Sequence, residues 1–136
     1  MLTRFKDTLK DSGNSFTTSR RQIFEKLAQS GPITTAELAT YCVDAIDRAT
    51  VYRTVELFEK LGIINRIWHG FKSQIELSEI FTPHHHHAVC QQCGESIDII
   101  NGDLEKLLAS IARERQFLAV GHVIELIGYC ERCQNS

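Results

Sequence analysis

Two cysteine pairs and a run of histidines carry the strongest chemical signal in this chain. Cys90-Gln91-Gln92-Cys93 and Cys130-Glu131-Arg132-Cys133 each repeat the CxxC spacing. A tight turn at that spacing aims both sulfurs at one ion, and two such turns complete a tetrahedral, structural Zn2+ site. Redox or disulfide pairs are the competing use of such cysteines. The N-terminus, MLTRFKDTLKDSG, has no apolar leader core, so a reducing, cytoplasmic setting is expected, and that favours metal. The fifth cysteine, Cys42, reads as a small buried hydrophobe.

The histidines His84-His85-His86-His87 lead directly into the first cysteine pair. If they are extended, their side chains alternate, with His84 and His86 on one face and His85 and His87 on the other. One short strand then offers two imidazoles to each of two metal sites. Imidazole suits Zn, Fe, Mn, Co or Ni. Glu76, Glu79, Asp98 and Glu105 are nearby oxygen ligands, and His122 is expected on the last strand, close to the second CxxC.

These ligands need elements to position them. Leu2, Phe5 and Leu9 keep helical spacing, and a second helix is expected from Thr18 or Ser19, with Ile23, Phe24 and Leu27 inward and a stop at Gly31-Pro32. Thr34 and Glu37 form a capping-box pattern before a short third helix. Asp47 caps a fourth, reaching about Leu61, with Val51, Val55 and Phe58 on its core face and Gly62 at its end. Ile63–Ile67 and Ser73–Leu77, around a turn at His69-Gly70, read as a β-hairpin. Three helices and a hairpin are the order of a winged helix-turn-helix. Beyond it, Ala88-Val89, Ser96–Ile100 and Val120–Ile127 read as strands. Leu104, Leu107, Leu108 and Ile111 read as an amphipathic helix starting at Asp103. The fold class is α+β, with a winged-helix DNA-binding domain and hinge over 1–80 and a metal-binding α/β domain over 81–136.

Net charge agrees with that division. The whole chain of 136 residues carries −2, but residues 1–72 carry +3 and residues 73–136 carry −5. The front can approach phosphate, and the back is rich in oxygen ligands. Hydrophobic residues make up 43%, which argues against disorder, and no apolar run approaches the ~20 residues of a membrane span. On the fourth helix, Thr50, Tyr52 and Arg53 are placed to reach bases and phosphates, and Arg20 to reach the backbone. Two other functions compete. A zinc hydrolase or deaminase needs an open metal position beside a general acid/base, and the deaminase HxE…PCxxC pattern is absent because Ala88-Val89 precedes Cys90. A metal buffer leaves the helix-turn-helix unexplained.

Taken together, Phe16-Thr17-Thr18-Ser19-Arg20, Ala49-Thr50-Val51-Tyr52-Arg53, the HHxH-x2-CxxCG run from His84 to Gly94, and His122 to Cys133 resemble the ferric uptake regulator (Fur) family of metal-dependent transcriptional repressors. The resemblance spans almost the whole chain. It implies a homodimer that binds double-stranded DNA, with an A·T-rich inverted repeat as the expected operator, and a C-terminal α/β dimerisation domain. It implies structural zinc on Cys90, Cys93, Cys130 and Cys133. A further metal site falls on His84, His86, Glu105 and His122. The regulatory metal falls on Glu76, His85 and His87, with Asp98 as a carboxylate ligand. The chain departs from the family at Pro32-Ile33-Thr34, where another regulatory His is usual. His69, in the hairpin turn, and Glu79 are the candidate substitutes. Oxygen at Glu76 leans toward Fe2+ or Mn2+, with Zn2+ sensing or peroxide sensing as alternatives. The chain is therefore expected to be a repressor of metal-uptake genes and not an enzyme.

Overall fold

The computed structural model describes residues 1–69 and 72–135, apart from the side chain of His69. The chain divides into two compact units, Met1–Pro83 and His84–Ser136.

The first unit is built from α1 (Leu2–Asp11), α2 (Thr18–Gln29), α3 (Thr35–Cys42), α4 (Arg48–Lys60), β1 (Ile64–His69) and β2 (Lys72–Leu77). Each helix after the first starts at a side-chain cap. Thr17 accepts from the backbone N–H of Arg20. Thr34 accepts from the N–H of Glu37 while the Glu37 carboxylate accepts from the N–H of Thr34, closing the expected capping box. Asp47 accepts from the N–H of Thr50. Gly62, at φ +70°, takes the left-handed turn that ends α4.

The core of this unit is aromatic at its centre. Phe5 stacks on Phe24 with centroids 4.1 Å apart and meets Phe58 edge-on at 5.4 Å. Ile23, Leu38, Val51, Val55, Ile63 and Ile75 surround them, fully buried. Val51, Val55 and Phe58 face inward as their spacing predicts, while Tyr52, Arg53, Glu56 and Glu59 are exposed. Cys42 is buried, and burial pushes its thiol up.

β1 and β2 pair antiparallel from Ile64↔Leu77 to His69↔Lys72. The hairpin is longer than expected, because the ladder continues to His69 and Lys72. Gly70, half of the expected turn, lies outside the described residues. Ile33 adds a third, one-residue rung by exchanging both backbone hydrogen bonds with Ile75.

The second unit contains β3 (His86–Cys90), β4 (Ser96–Ile99), α5 (Gly102–Glu114), β5 (Glu125–Gly128) and α6 (Glu131–Gln134). β3 is central, antiparallel to β4 and parallel to β5. Three expectations are corrected here. The last strand is Glu125–Gly128 and does not begin at Val120, because β3 offers only His87 to Cys90 as partners in the parallel register. His122 therefore precedes that strand. α5 begins at Gly102, since the Asn101 side chain accepts from the N–H groups of Asp103 and Leu104. The helix α6 was not foreseen. Among the described residues, no helix is long and apolar enough to cross a membrane.

Candidate metal centres and nucleic-acid interface

β3 and the two residues before it sort the four histidines by alternation. His84 and His86 meet Glu105 and His122, whereas His85 and His87 meet Asp98.

The first of these groups is tight. His86 Nε2 lies 2.6 Å from Glu105 Oε1, and His84 Nε2 lies 3.3 Å from the same oxygen. His122 Nε2 is 3.0 Å from Glu105 Oε2 and 3.1 Å from His84 Nε2. Ligands 2.0–2.1 Å from a tetrahedral metal stand about 3.3 Å apart, so these four groups fit one divalent ion. The segment before β5 brings in His122, and the first turn of α5 brings in Glu105. The imidazole of His86 hydrogen-bonded to Glu105, with His122 and His84 beside it, holds that carboxyl below its usual value.

The second group is looser. Asp98 sits across the β3–β4 ladder from His87, and its Oδ1 is 3.8 Å from His87 Nε2 and 4.0 Å from His85 Nε2. The imidazoles meet edge-on with centroids 4.8 Å apart. This spacing suits ligands gathered around a cation. Glu76 lies half-buried on β2 of the first unit, opposite Asn65. Glu79 is exposed on the turn after β2 and joins no three-ligand group among the described residues. His69 ends β1, and its side chain lies outside the described residues.

The four cysteines converge from two turns. Cys90 closes β3 and Cys93 follows in its turn, where the N–H of Gly94 donates to the Cys90 carbonyl. Cys130 caps α6 and Cys133 lies one turn on. All four sulfurs lie within 4.8 Å of one another, and Cys93 and Cys130 are 3.7 Å apart. A zinc tetrahedron with 2.3 Å bonds has edges of about 3.8 Å, whereas a disulfide brings sulfur to about 2.05 Å. None of the four is joined in a disulfide, and their spacing suits a metal. Backbone N–H groups of Cys93 and Cys130 pull the Cys90 thiol down to about 6, and its hydrogen bond with Cys130 pushes Cys133 up to about 12. A metal takes these groups as thiolates, so its binding would release their protons.

In the first unit, a cleft of about 360 Å³ between α2 and α4 is lined by Thr17, Ser19, Arg20, Thr50, Arg53, Thr54 and Leu57. It brings together three of the residues expected to meet DNA. Arg53 donates to Thr50 Oγ1, and Thr50 donates to Asp47, so the cap also orients Arg53. Arg20 donates to the Ser15 carbonyl. Tyr52 is exposed on α4. Thr17 and Ser19 also line the cleft, although the sequence reading named them only as part of the motif that leads to Arg20. Their signal was position, since an N-cap and its neighbours present hydroxyls beside a helix N-terminus.

A winged helix joined to an α/β unit with three His/Cys/carboxylate clusters defines a class: DNA-binding regulators that take metal. Residues 11–127 match the Ferric uptake regulator family, and the chain belongs to it. It is similar to the ferric uptake regulation protein of Campylobacter jejuni, with 32% identity over 142 residues, covering 99% of this chain and 89% of that one. Among solved structures it resembles the Vibrio cholerae ferric uptake regulator, with a TM-score of 0.76 and 34% identity, covering 92% of this chain and 98% of that one. It also resembles the Pseudomonas aeruginosa ferric uptake regulator solved with manganese, with a TM-score of 0.77 and 27% identity, covering 93% and 97%. The function that follows is metal-responsive transcriptional repression. These matches lend no support to a hydrolase, a deaminase or a metal buffer.

Proposed function

We propose that the chain is a homodimeric repressor whose affinity for an A·T-rich inverted repeat rises when Fe2+ or Mn2+ binds His85, His87, Asp98 and Glu76. The observation that carries this reading is the alternation along β3. One short segment serves a tightly spaced ligand set on one side and a more widely spaced set on the other. The tighter spacing suits a resident metal, and the wider spacing suits a metal that comes and goes. Glu76 enters from the resemblance, as the oxygen ligand that ties the winged helix to the metal. His69 is the substitute for the histidine missing at Pro32-Ile33-Thr34. Oxygen at Glu76 and Asp98 favours Fe2+ or Mn2+ over Zn2+.

Cys90, Cys93, Cys130 and Cys133 hold structural zinc, which supplies rigidity and no reactive position. His84, His86, Glu105 and His122 hold a further divalent ion. Dimerisation rests on exposed apolar surface in the second unit. α5 buries none of its residues, and Ile100, Phe117, Leu118, Val120 and Val123 are each more than two-thirds exposed. A unit so short of its own core requires a partner surface, and a second copy is the simplest one. Thr50, Tyr52 and Arg53 meet the major groove and Arg20 a phosphate, in the cytoplasm and without enzymatic turnover.

The test is fluorescence anisotropy on inverted-repeat DNA with the zinc-replete protein, with and without added Mn2+ or anaerobic Fe2+. Tighter binding with metal is expected. Equal affinity in both conditions overturns the metal switch.

A further inference from the structure

α4 begins with a residue of the wrong charge for a helix end. Arg48 occupies its first position, and its first turn contains no acidic residue. The N-terminus of a helix carries a partial positive charge, which a cation there opposes. Asp47 caps this end, and what Arg48 itself gains there is a contact with Tyr52 on the exposed face of the helix. The Arg48 side chain is exposed, and its guanidinium donates to Tyr52 Oη at 3.1 Å while its centre lies 5.2 Å from the centroid of the Tyr52 ring. No described carboxylate forms an ion pair with it. Arg48 and Tyr52 are thus held together one turn apart, as a planar cation packed against an aromatic ring.

We infer that Arg48 determines part of the DNA sequence this protein selects, by reading a guanine beside the base pair that Tyr52 contacts. This rests on the proposed DNA-binding role of α4. The first turn of a recognition helix is the part that reaches base edges. A guanidinium fork has five donors, and only one is committed to Tyr52, leaving an edge that fits guanine O6 and N7. Packing against the Tyr52 ring fixes the plane of that fork before DNA arrives, which lowers the ordering cost of a bidentate contact. The Tyr52 hydroxyl, in turn, is oriented by Arg48. Arg53, by contrast, is tied to Thr50 and to the cleft facing α2, so the two arginines serve different parts of the duplex.

The experiment selects DNA from a library with both half-sites randomised, using the zinc-replete, metal-loaded wild type, Arg48→Leu and Arg48→Lys. Anisotropy at several salt concentrations follows on the selected sites. Wild type is expected to select guanine at one symmetric position per half-site. Both variants should lose that preference, with on the order of a tenfold drop on the guanine site and little on sites lacking it. Arg48→Lys should keep the salt slope, since its charge is unchanged. The same base preference in Arg48→Leu as in wild type overturns the inference. A uniform loss on all sequences with a slope lower by about one also overturns it, because that is the signature of a phosphate contact. Selection of no sequence by the wild type would instead remove the DNA-binding reading itself, and this inference with it.

Discussion

At the scale of single residues, the sulfur tetrahedron makes the sharpest demand. Its four atoms come from turns almost forty positions apart in sequence, joined by little apolar core. No such site exists in the unfolded chain, so metal affinity counts as folding energy. Cys93→Ser is expected to lose zinc and the dimer together, read by metal analysis and sedimentation. A zinc-replete Cys93→Ser dimer would falsify the assignment. Gln116 offers a second residue-scale prediction. It follows the C-terminus of α5 at φ +52°, where a side chain is strained. Gln116→Gly should raise stability by about 0.5–1 kcal/mol in urea melts, the relief of strain exceeding the added freedom of the unfolded chain. The CxxC pairs and the histidine alternation were legible because both are local: spacing alone decides which side chains share a direction. The strained φ at Gln116 was not, since nothing in its neighbours announces a left-handed residue.

At the scale of elements, α3 and α4 were legible from their caps, whereas the extent of β5 was not. Thr34, Glu37 and Asp47 announce α3 and α4 through side chains that satisfy the first N–H groups. β5 has no such local signal. Its length is set by the parallel register with β3, so the apolar run from Val120 overstated it. The cap of α4 also carries a pH dependence. Hydrogen bonds from the Thr50 hydroxyl and N–H hold the Asp47 carboxyl below its usual value. Its contribution to stability is therefore full above the unfolded pKa of about 3.9 and is lost as pH falls through the lower folded value. The urea midpoint of Asp47→Ala should lie below wild type by a constant amount from pH 7 to about pH 4, and the two should converge in stronger acid. A constant gap down to full protonation would show that Asp47 acts without its charge. For the second unit, the exposed face of β5 belongs to the proposed dimer. Leu126, 59% exposed, is the probe. Leu126→Asp should sediment as a monomer at micromolar concentration while keeping its zinc. A dimer that tolerates an aspartate there would move the interface elsewhere.

At the scale of the whole molecule, a switch needs one element that two ligand sets treat differently. In the proposed reading, β3 and the residues before it are that element, since a single backbone segment faces a tightly spaced cluster with His84 and His86 and a wider one with His85 and His87. A metal can shift the winged helices toward DNA only by the difference in its affinity for the two arrangements of the dimer. That coupling is about 1–3 kcal/mol in typical cases, or roughly 5- to 150-fold in DNA affinity. His85→Ala removes a ligand from the wider set alone, so structural zinc and the dimer should survive while the metal response of DNA binding disappears. Glu76→Ala should behave in the same way, because the proposed tie to the winged helix runs through it. His84→Ala touches only the second unit's tighter set, so it should lower thermal stability and keep most of the response. Anisotropy titrations with Mn2+ on one operator separate the three. A His85→Ala protein with an undiminished response would place the sensed metal in the tighter set, and the two faces of the histidine segment would have to exchange roles.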